Sequence, residues 1–216
     1  MKRRSLLLGL AASATGLVSA ELGGGLVKPA ARTAFSARYP DMAQRRLAAW
    51  EALPGRLMAL SVRQRLTQAN AFFNQLRFLS DGEQWGSRDY WATPLEFLGR
   101  GAGDCEEFAI AKYVTLVKSN VPTSQLRITY VKALRPRQAH MVLTWAQKSG
   151  DMPLVLDNLI PEIRPASART DLIPVYSFNA DSLWITKAGT EKRVSDASNV
   201  GHWQDLRRRM AEEIVL

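Results

Sequence analysis

The apolar positions divide the chain into a helical first half and a strand-rich second half. Between Asp41 and Leu79, Met42, Leu47 and Trp50 precede a break at Pro54 and Gly55; Val62, Leu66, Ala69, Phe73 and Leu76 then recur at three- and four-residue steps. That spacing lines up one face of a helix and predicts a helical pair packed onto a core. Ser61 with Gln64 suits the start of the second helix, where each side chain can satisfy the other residue's free N–H. Residues 80–103 are rich in glycine and read as an irregular loop around a short helix near Leu95 to Leu98. From Cys105 to Val117 apolar residues fall on nearly every side, as in a helix buried at the centre of a domain. Asp104 is a good N-cap for that helix and Glu107 completes a capping box.

After Pro122 the period changes to two. Residues 126–132 and 140–145 alternate, 154–159 is short and β-rich, 175–178 and 182–185 extend the pattern, and 203–214 reads as a basic C-terminal helix. Residues 148–151 give a turn signal between the second and third of these strands. A hairpin turning near Lys148 and Ser149 pairs residues whose numbers sum to about 297, which sets His140 opposite Asp157. The sum of these elements is an α+β fold: a central helix starting at Cys105 packed on an antiparallel sheet, with flanking helices.

The length, 216 residues, suits one main domain. Met1-Lys2-Arg3-Arg4 ahead of an apolar run and small residues up to Ala20 has the form of a secretory signal peptide, by either the general or the twin-arginine route; the run is short for a membrane span. Residues 21–40, with Gly23-Gly24-Gly25, Pro29 and Pro40, read as a flexible lead-in, which leaves 41–216 as the single domain. Removing residues 1–20 lowers the basic count from 29 to 26 against 20 acids and leaves a net charge of +6. The basic residues are scattered rather than interleaved with aromatics, so the chain has no nucleic-acid stripe. Arg207-Arg208-Arg209 reads as a solvated helix face.

The chain has one cysteine and two histidines, which narrows the chemistry. An exported protein with a sole cysteine, Cys105, has no intramolecular disulfide to form. At a helix N-terminus its thiol meets the positive end of the helix dipole and free backbone N–H groups, both of which favour the thiolate. The same N–H groups can hold the oxyanion formed when the thiolate adds to an amide carbonyl. His140 lies on a strand within the core pattern and is the better base; His202 sits in the tail. Asp157 on the neighbouring strand can accept from the second ring nitrogen of His140, whereas Asn158 points to the opposite face. Asp104 and Glu106 flank the thiol, and their negative charge opposes its ionisation. Helix capping accounts for Asp104 but not Glu106. A bound calcium ion would account for both, with loop carbonyls or further acids such as Asp81 or Asp89 completing the shell.

Residues 88–113, with Thr93-Pro94-Leu95-Glu96-Phe97-Leu98-Gly99-Arg100-Gly101-Ala102-Gly103-Asp104-Cys105-Glu106-Glu107 at their centre, join His140-Met141-Val142-Leu143 and Leu154-Val155-Leu156-Asp157-Asn158-Leu159 in a recognisable set. Together they resemble the bacterial transglutaminase-like cysteine proteinases, from about Asp41 to Trp184. The resemblance implies a papain- and transglutaminase-like core and a catalytic triad of Cys105, His140 and Asp157. It also implies calcium dependence, with Asp104 and Glu106 as ligands. It further implies a periplasmic endopeptidase that cuts a large repeat-type surface adhesin near its N-terminus, releasing it and promoting biofilm dispersal. Such a protease is sequestered by an inner-membrane receptor when cytoplasmic cyclic di-GMP is high. The same triad would also serve acyl transfer to an amine, as in a transglutaminase, and the fold alone would serve a non-catalytic binding protein.

Overall fold

The computed structural model describes residues 25–87, 89–135, 137–187 and 190–215. The expected signal peptide, 1–20, lies outside the described residues. The chain opens with three helices, α1 (Pro29–Arg38), α2 (Asp41–Met58) and α3 (Val62–Phe73). A short strand β1 (Arg77–Phe78), helices α4 (Asp81–Trp85) and α5 (Pro94–Arg100), and strand β2 (Ala102–Gly103) lead into helix α6 (Cys105–Lys118). The second half supplies β3 (Leu126–Leu134), β4 (Arg137–Trp145), β5 (Leu154–Leu156), β6 (Arg164–Pro165), β7 (Leu172–Phe178), β8 (Ser182–Lys187) and β9 (Thr190–Asp196), then α7 (Gly201–Glu213).

β3 to β9 form a seven-stranded sheet in the order β6-β5-β4-β3-β7-β8-β9, each neighbour antiparallel. Helix α6 lies between layers: it packs on β4 and β3 on one side and meets α2, α3 and α5 on the other. This explains its sequence, because a helix covered on all sides gains from apolar residues on all of them. Every residue from Glu107 to Leu116 is buried. The α+β architecture expected from the pattern is therefore the one observed. No helix among the described residues is long and apolar enough to cross a membrane.

Three local differences have identifiable causes. Pro54 does not break the helix: α2 runs through it to Met58. A proline inside a helix costs about 3 kcal/mol, but the helix buries Leu47, Trp50, Leu53 and Leu57 in the core. Each fully buried leucine contributes roughly 1.5–3 kcal/mol, so continuity of the packing face outweighs the lost backbone bond. The lead-in expected over 21–40 is helical from Pro29, which occupies the first turn where its missing N–H costs nothing. Helix α1 buries only Phe35, too few apolar residues to leave a periodic trace, and it is tied down from a distance. Val27 bridges to Ile214, and the Lys28 N–H donates to the Glu213 carbonyl at 2.8 Å. Finally, β6 and β9 lie at the two sheet edges, where β9 is mostly polar and exposed and so carries no alternating apolar signal.

The Arg207-Arg208-Arg209 run is not uniformly solvated. Arg209 pairs with Glu96 of α5 at 2.9 Å and also bonds the Trp91 carbonyl, fastening α7 to the loop ahead of the cysteine. Arg207 donates to the Ala180 carbonyl at 2.9 Å, and Arg208 alone stays out in solvent, beside Asp205.

Inside the helical layer the Trp50 indole N–H donates to Thr115 Oγ1 at 2.7 Å, and that hydroxyl donates in turn to the Ala111 carbonyl at 2.7 Å. Both residues are fully buried, so the bond locks α2 onto α6 in a place water does not reach. Thr115→Val leaves the indole N–H without a partner and should lower the free energy of unfolding by about 1–3 kcal/mol, read by urea denaturation. A variant as stable as the parent would show that this bond does not hold the two helices together.

Candidate active site

The start of α6 is built as the sequence predicts. Asp104 is the N-cap; its carboxylate accepts from the Glu106 N–H, and Glu107 returns a bond to the Asp104 N–H at 2.9 Å. The other Glu107 oxygen accepts from the Ala92 N–H at 2.7 Å, which joins the preceding loop to the helix start. Gly103 is required by this closeness: a Cβ there would come within 2.9 Å of both Glu107 Oε2 and the Phe97 ring. Cys105 thus enters the first turn in a buried position, with its sulfur 2.9 Å from Glu106 Oε2 and accepting from the Met141 N–H of β4.

The electrostatics there differ from the expectation based on the helix terminus alone. Burial pushes the Cys105 thiol well up, and the Glu106 charge, the bond to Glu106 and the Asp104 charge push it further; the Met141 N–H opposes them. A helix end supplies about half a positive charge, whereas Glu106 brings a full negative one into direct contact. As the chain stands alone, burial and the contacting carboxylate win and the thiol is held protonated.

His140 and Asp157 come together as expected, by a slightly different register. Leu143 faces Leu156 and Trp145 faces Leu154, two residues along from the expected pairing, and the ladder ends before Asp157. Because strand side chains alternate, a shift of two keeps both residues on the same face. His140 Nε2 lies 2.8 Å from Asp157 Oδ1, and both side chains are about 1% exposed or less. The same oxygen accepts from the Leu159 N–H at 3.0 Å, and the Asp157 carbonyl accepts from Nδ2 of Asn74, the residue that caps α3, at 2.8 Å. Burial pushes the Asp157 carboxyl up, but His140, the Leu159 N–H and Arg169 outweigh it and hold it at about 2. Asp157 is therefore ionised and can only accept, which places the imidazole proton on Nε2 and leaves a lone pair on Nδ1. Nδ1 is buried and has no hydrogen-bond partner among the described residues. Met141, whose N–H acts on the Cys105 thiol, directly follows His140 on β4. Asn158 takes no part in the pair. Arg169, whose Nη2 is 2.8 Å from Asp157 Oδ2, and Asn74 were not legible in the sequence, since neither stands in a motif.

Around the thiol the acids crowd together. Oxygens of Asp104 and Glu106 and the Cys105 sulfur all lie within 4.8 Å of one another, and so do oxygens of Asp81, Asp104 and Glu107. Asp81, at the start of α4, is buried; one of its oxygens accepts from the Tyr90 N–H and the other has no partner among the described residues. Burial and then Glu106 push Asp104 up to about 8, while burial, with Asp104 and Asp89 nearby, pushes Asp81 up to about 6. Oxygen donors this crowded, one of them buried and unpartnered, fit a hard divalent cation that would relieve their repulsion. Asp89 stands outside both groups, accepting from the Trp91 indole at 2.9 Å and lying 3.5 Å from exposed His202.

Comparison with known proteins agrees with this construction. The family of bacterial transglutaminase-like cysteine proteinases (BTLCP) matches residues 24–188. The structure of Legionella pneumophila LapG is 41% identical, with a TM-score of 0.75 over 87% of this chain and 99% of that one. EGTA-treated LapG from the same organism gives 41% identity and a TM-score of 0.76 over 87% and 100%. Its calcium-bound form gives 42% and 0.73 over 84% and 97%. No curated protein matches the chain. The match over most of the chain, on a fold with its sole cysteine at the start of a buried helix, establishes that this protein belongs to the bacterial transglutaminase-like cysteine proteinases.

Proposed function

We propose that this protein is a calcium-dependent cysteine endopeptidase whose triad is Cys105, His140 and Asp157. The observation that carries the reading is the buried 2.8 Å contact between His140 Nε2 and Asp157, which leaves Nδ1 free beside the strand residue that bonds the thiol. His140 Nδ1 takes the proton from Cys105, and the thiolate attacks the scissile carbonyl. The Cys105 N–H, at the first position of α6, has no partner within the helix and can help to hold the oxyanion. The protonated imidazole, stabilised by Asp157, then donates to the leaving amine, and a water activated by His140 releases the acyl-enzyme.

Asp104 and Glu106 would hold the calcium ion, with Asp81 within reach of Asp104. Calcium bound there would neutralise the charge that now keeps the thiol protonated. The calcium-bound and EGTA-treated structures of LapG support a calcium site in a relative. In this reading Glu106 serves two ends: in contact with the sulfur it restrains the nucleophile, and engaged with a cation it releases it.

For the wider role, we propose action in the periplasm after export by the N-terminal signal peptide. The substrate is the N-terminal region of a large repeat-type surface adhesin, whose release promotes biofilm dispersal. An inner-membrane cyclic di-GMP receptor is the sequestering partner. Family membership supports this assignment.

Cys105→Ala should abolish cleavage without altering the circular dichroism spectrum or thermal midpoint; residual cleavage would remove Cys105 from the mechanism. The host's largest secreted repeat protein, incubated with the purified protein and then N-terminally sequenced, should show one new terminus near its start; a cross-linked product would mean acyl transfer instead. EGTA should stop the reaction and added calcium restore it. Alkylation of Cys105 by iodoacetamide should also be faster with calcium than with EGTA, because the thiolate is the reacting form. Equal alkylation rates would separate the carboxylate cluster from control of the thiol.

A further inference from the structure

Asp157 makes a second buried contact that the triad does not require. Arg169 follows the short turn after β6, and its side chain is 2% exposed. Its Nε donates to Asp171 Oδ1 at 2.9 Å and its Nη2 to Asp171 Oδ2 at 2.8 Å, a two-point grip that fixes the plane of the guanidinium. From that plane Nη2 also reaches Asp157 Oδ2 at 2.8 Å, while Asp157 Oδ1 receives His140 and the Leu159 N–H. The four side chains form one line: Asp171, partly exposed at its outer end, then Arg169, Asp157 and His140, all buried.

We infer that Arg169 is a positioning residue: gripped by Asp171, it fixes the orientation of Asp157 and, through it, the tautomer of His140, a role that rests on the proposed triad. His140 from β4 and the Leu159 N–H both act on Oδ1, and Asp171 adds negative charge, so the guanidinium is what meets Oδ2. Lys112 of α6 acts on Asp157 through space, but its own burial lowers its pKa to about 7, so it is only partly charged at neutral pH. Without the guanidinium, Oδ2 is left buried and unpaired, and nothing fixes the plane of the carboxylate that receives His140. With its acceptor loosened, the imidazole proton would be shared with Nδ1, the nitrogen that must take the thiol proton. Lysine keeps the charge but not the two-point grip, so Arg169→Lys should recover part of the function.

The chain has two histidines, one buried and one exposed, so nitrogen-15 imidazole spectra separate them without mutation. In the calcium-loaded parent His140 should carry its proton on Nε2. In Arg169→Met the Nδ1–H form should appear, and kcat should fall by roughly 10- to 100-fold with KM unchanged, as for outer partners that orient a functional imidazole; Arg169→Lys should lie between. A parent-like tautomer and kcat in folded Arg169→Met would overturn the inference and leave Arg169 a structural ion pair. Should Arg169→Met not fold, Asp171→Asn keeps the guanidinium but loosens its grip. A partial tautomer shift with reduced kcat there supports positioning, and parent-like values overturn it. A shifted tautomer with undiminished turnover would uphold Arg169 as the residue that orients His140 and would instead refute the triad.

Discussion

Helix α6 is buried along almost its whole length, and its N-terminus carries a thiol, an N-cap aspartate and two glutamates into the same water-poor layer. In such a layer a charge is tolerated only with a partner, because burying it alone costs several kcal/mol. Much of the surrounding structure answers this constraint. Backbone N–H groups of Asp104 and Ala92 take the two oxygens of Glu107. Asp104 and Asp81 are crowded enough that burial moves both toward protonation. Where no protein group is left to compensate, a cation is the natural complement.

The two sides of the site solve that problem differently. On the sheet side, Asp157 is matched within the chain by His140, the Leu159 N–H and Arg169, and stays ionised at a pKa of about 2. That side is preorganised as it stands. On the helix side the acids outnumber their donors and Glu106 leans on the buried thiol, so the thiol is held protonated. Under the proposed calcium-dependent triad, a base fixed in advance beside a nucleophile released by a metal would give a peptidase that can be folded and inactive at once.

The scaffold serves both sides through long-range fastenings. Arg209 of α7 ties the loop after α4 to the C-terminal helix, and the N-terminal segment is bridged to the end of that same helix. Asn74, the C-cap of α3, holds the Asp157 carbonyl, so the turn that presents the carboxylate is anchored to the helical layer as well as to β5. Chain ends and surface arginines thereby become part of what fixes the positions of the loops around the site.

The sequence by itself determined the elements whose signals are local. The capping boxes at Ser61 and Asp104 follow from residues three apart, the buried character of α6 from its lack of a polar face, and the strands from alternation. It also brought His140 and Asp157 together, because a period of two preserves the face even when the pairing slips by two residues. Tertiary structure alone decided the rest. Pro54 stays inside α2 because distant packing outweighs a local penalty, and α1 exists because the far end of the chain holds it. Arg169 reaches Asp157 from a loop that no motif connects to it, and of the two further acids the sequence offered, only the fold brings Asp81 rather than Asp89 beside Asp104. The state of the thiol also depended on the fold. A helix start favours a thiolate through short-range dipoles, but burial and a contacting carboxylate reverse that preference, and both depend on how the layers close around the cysteine.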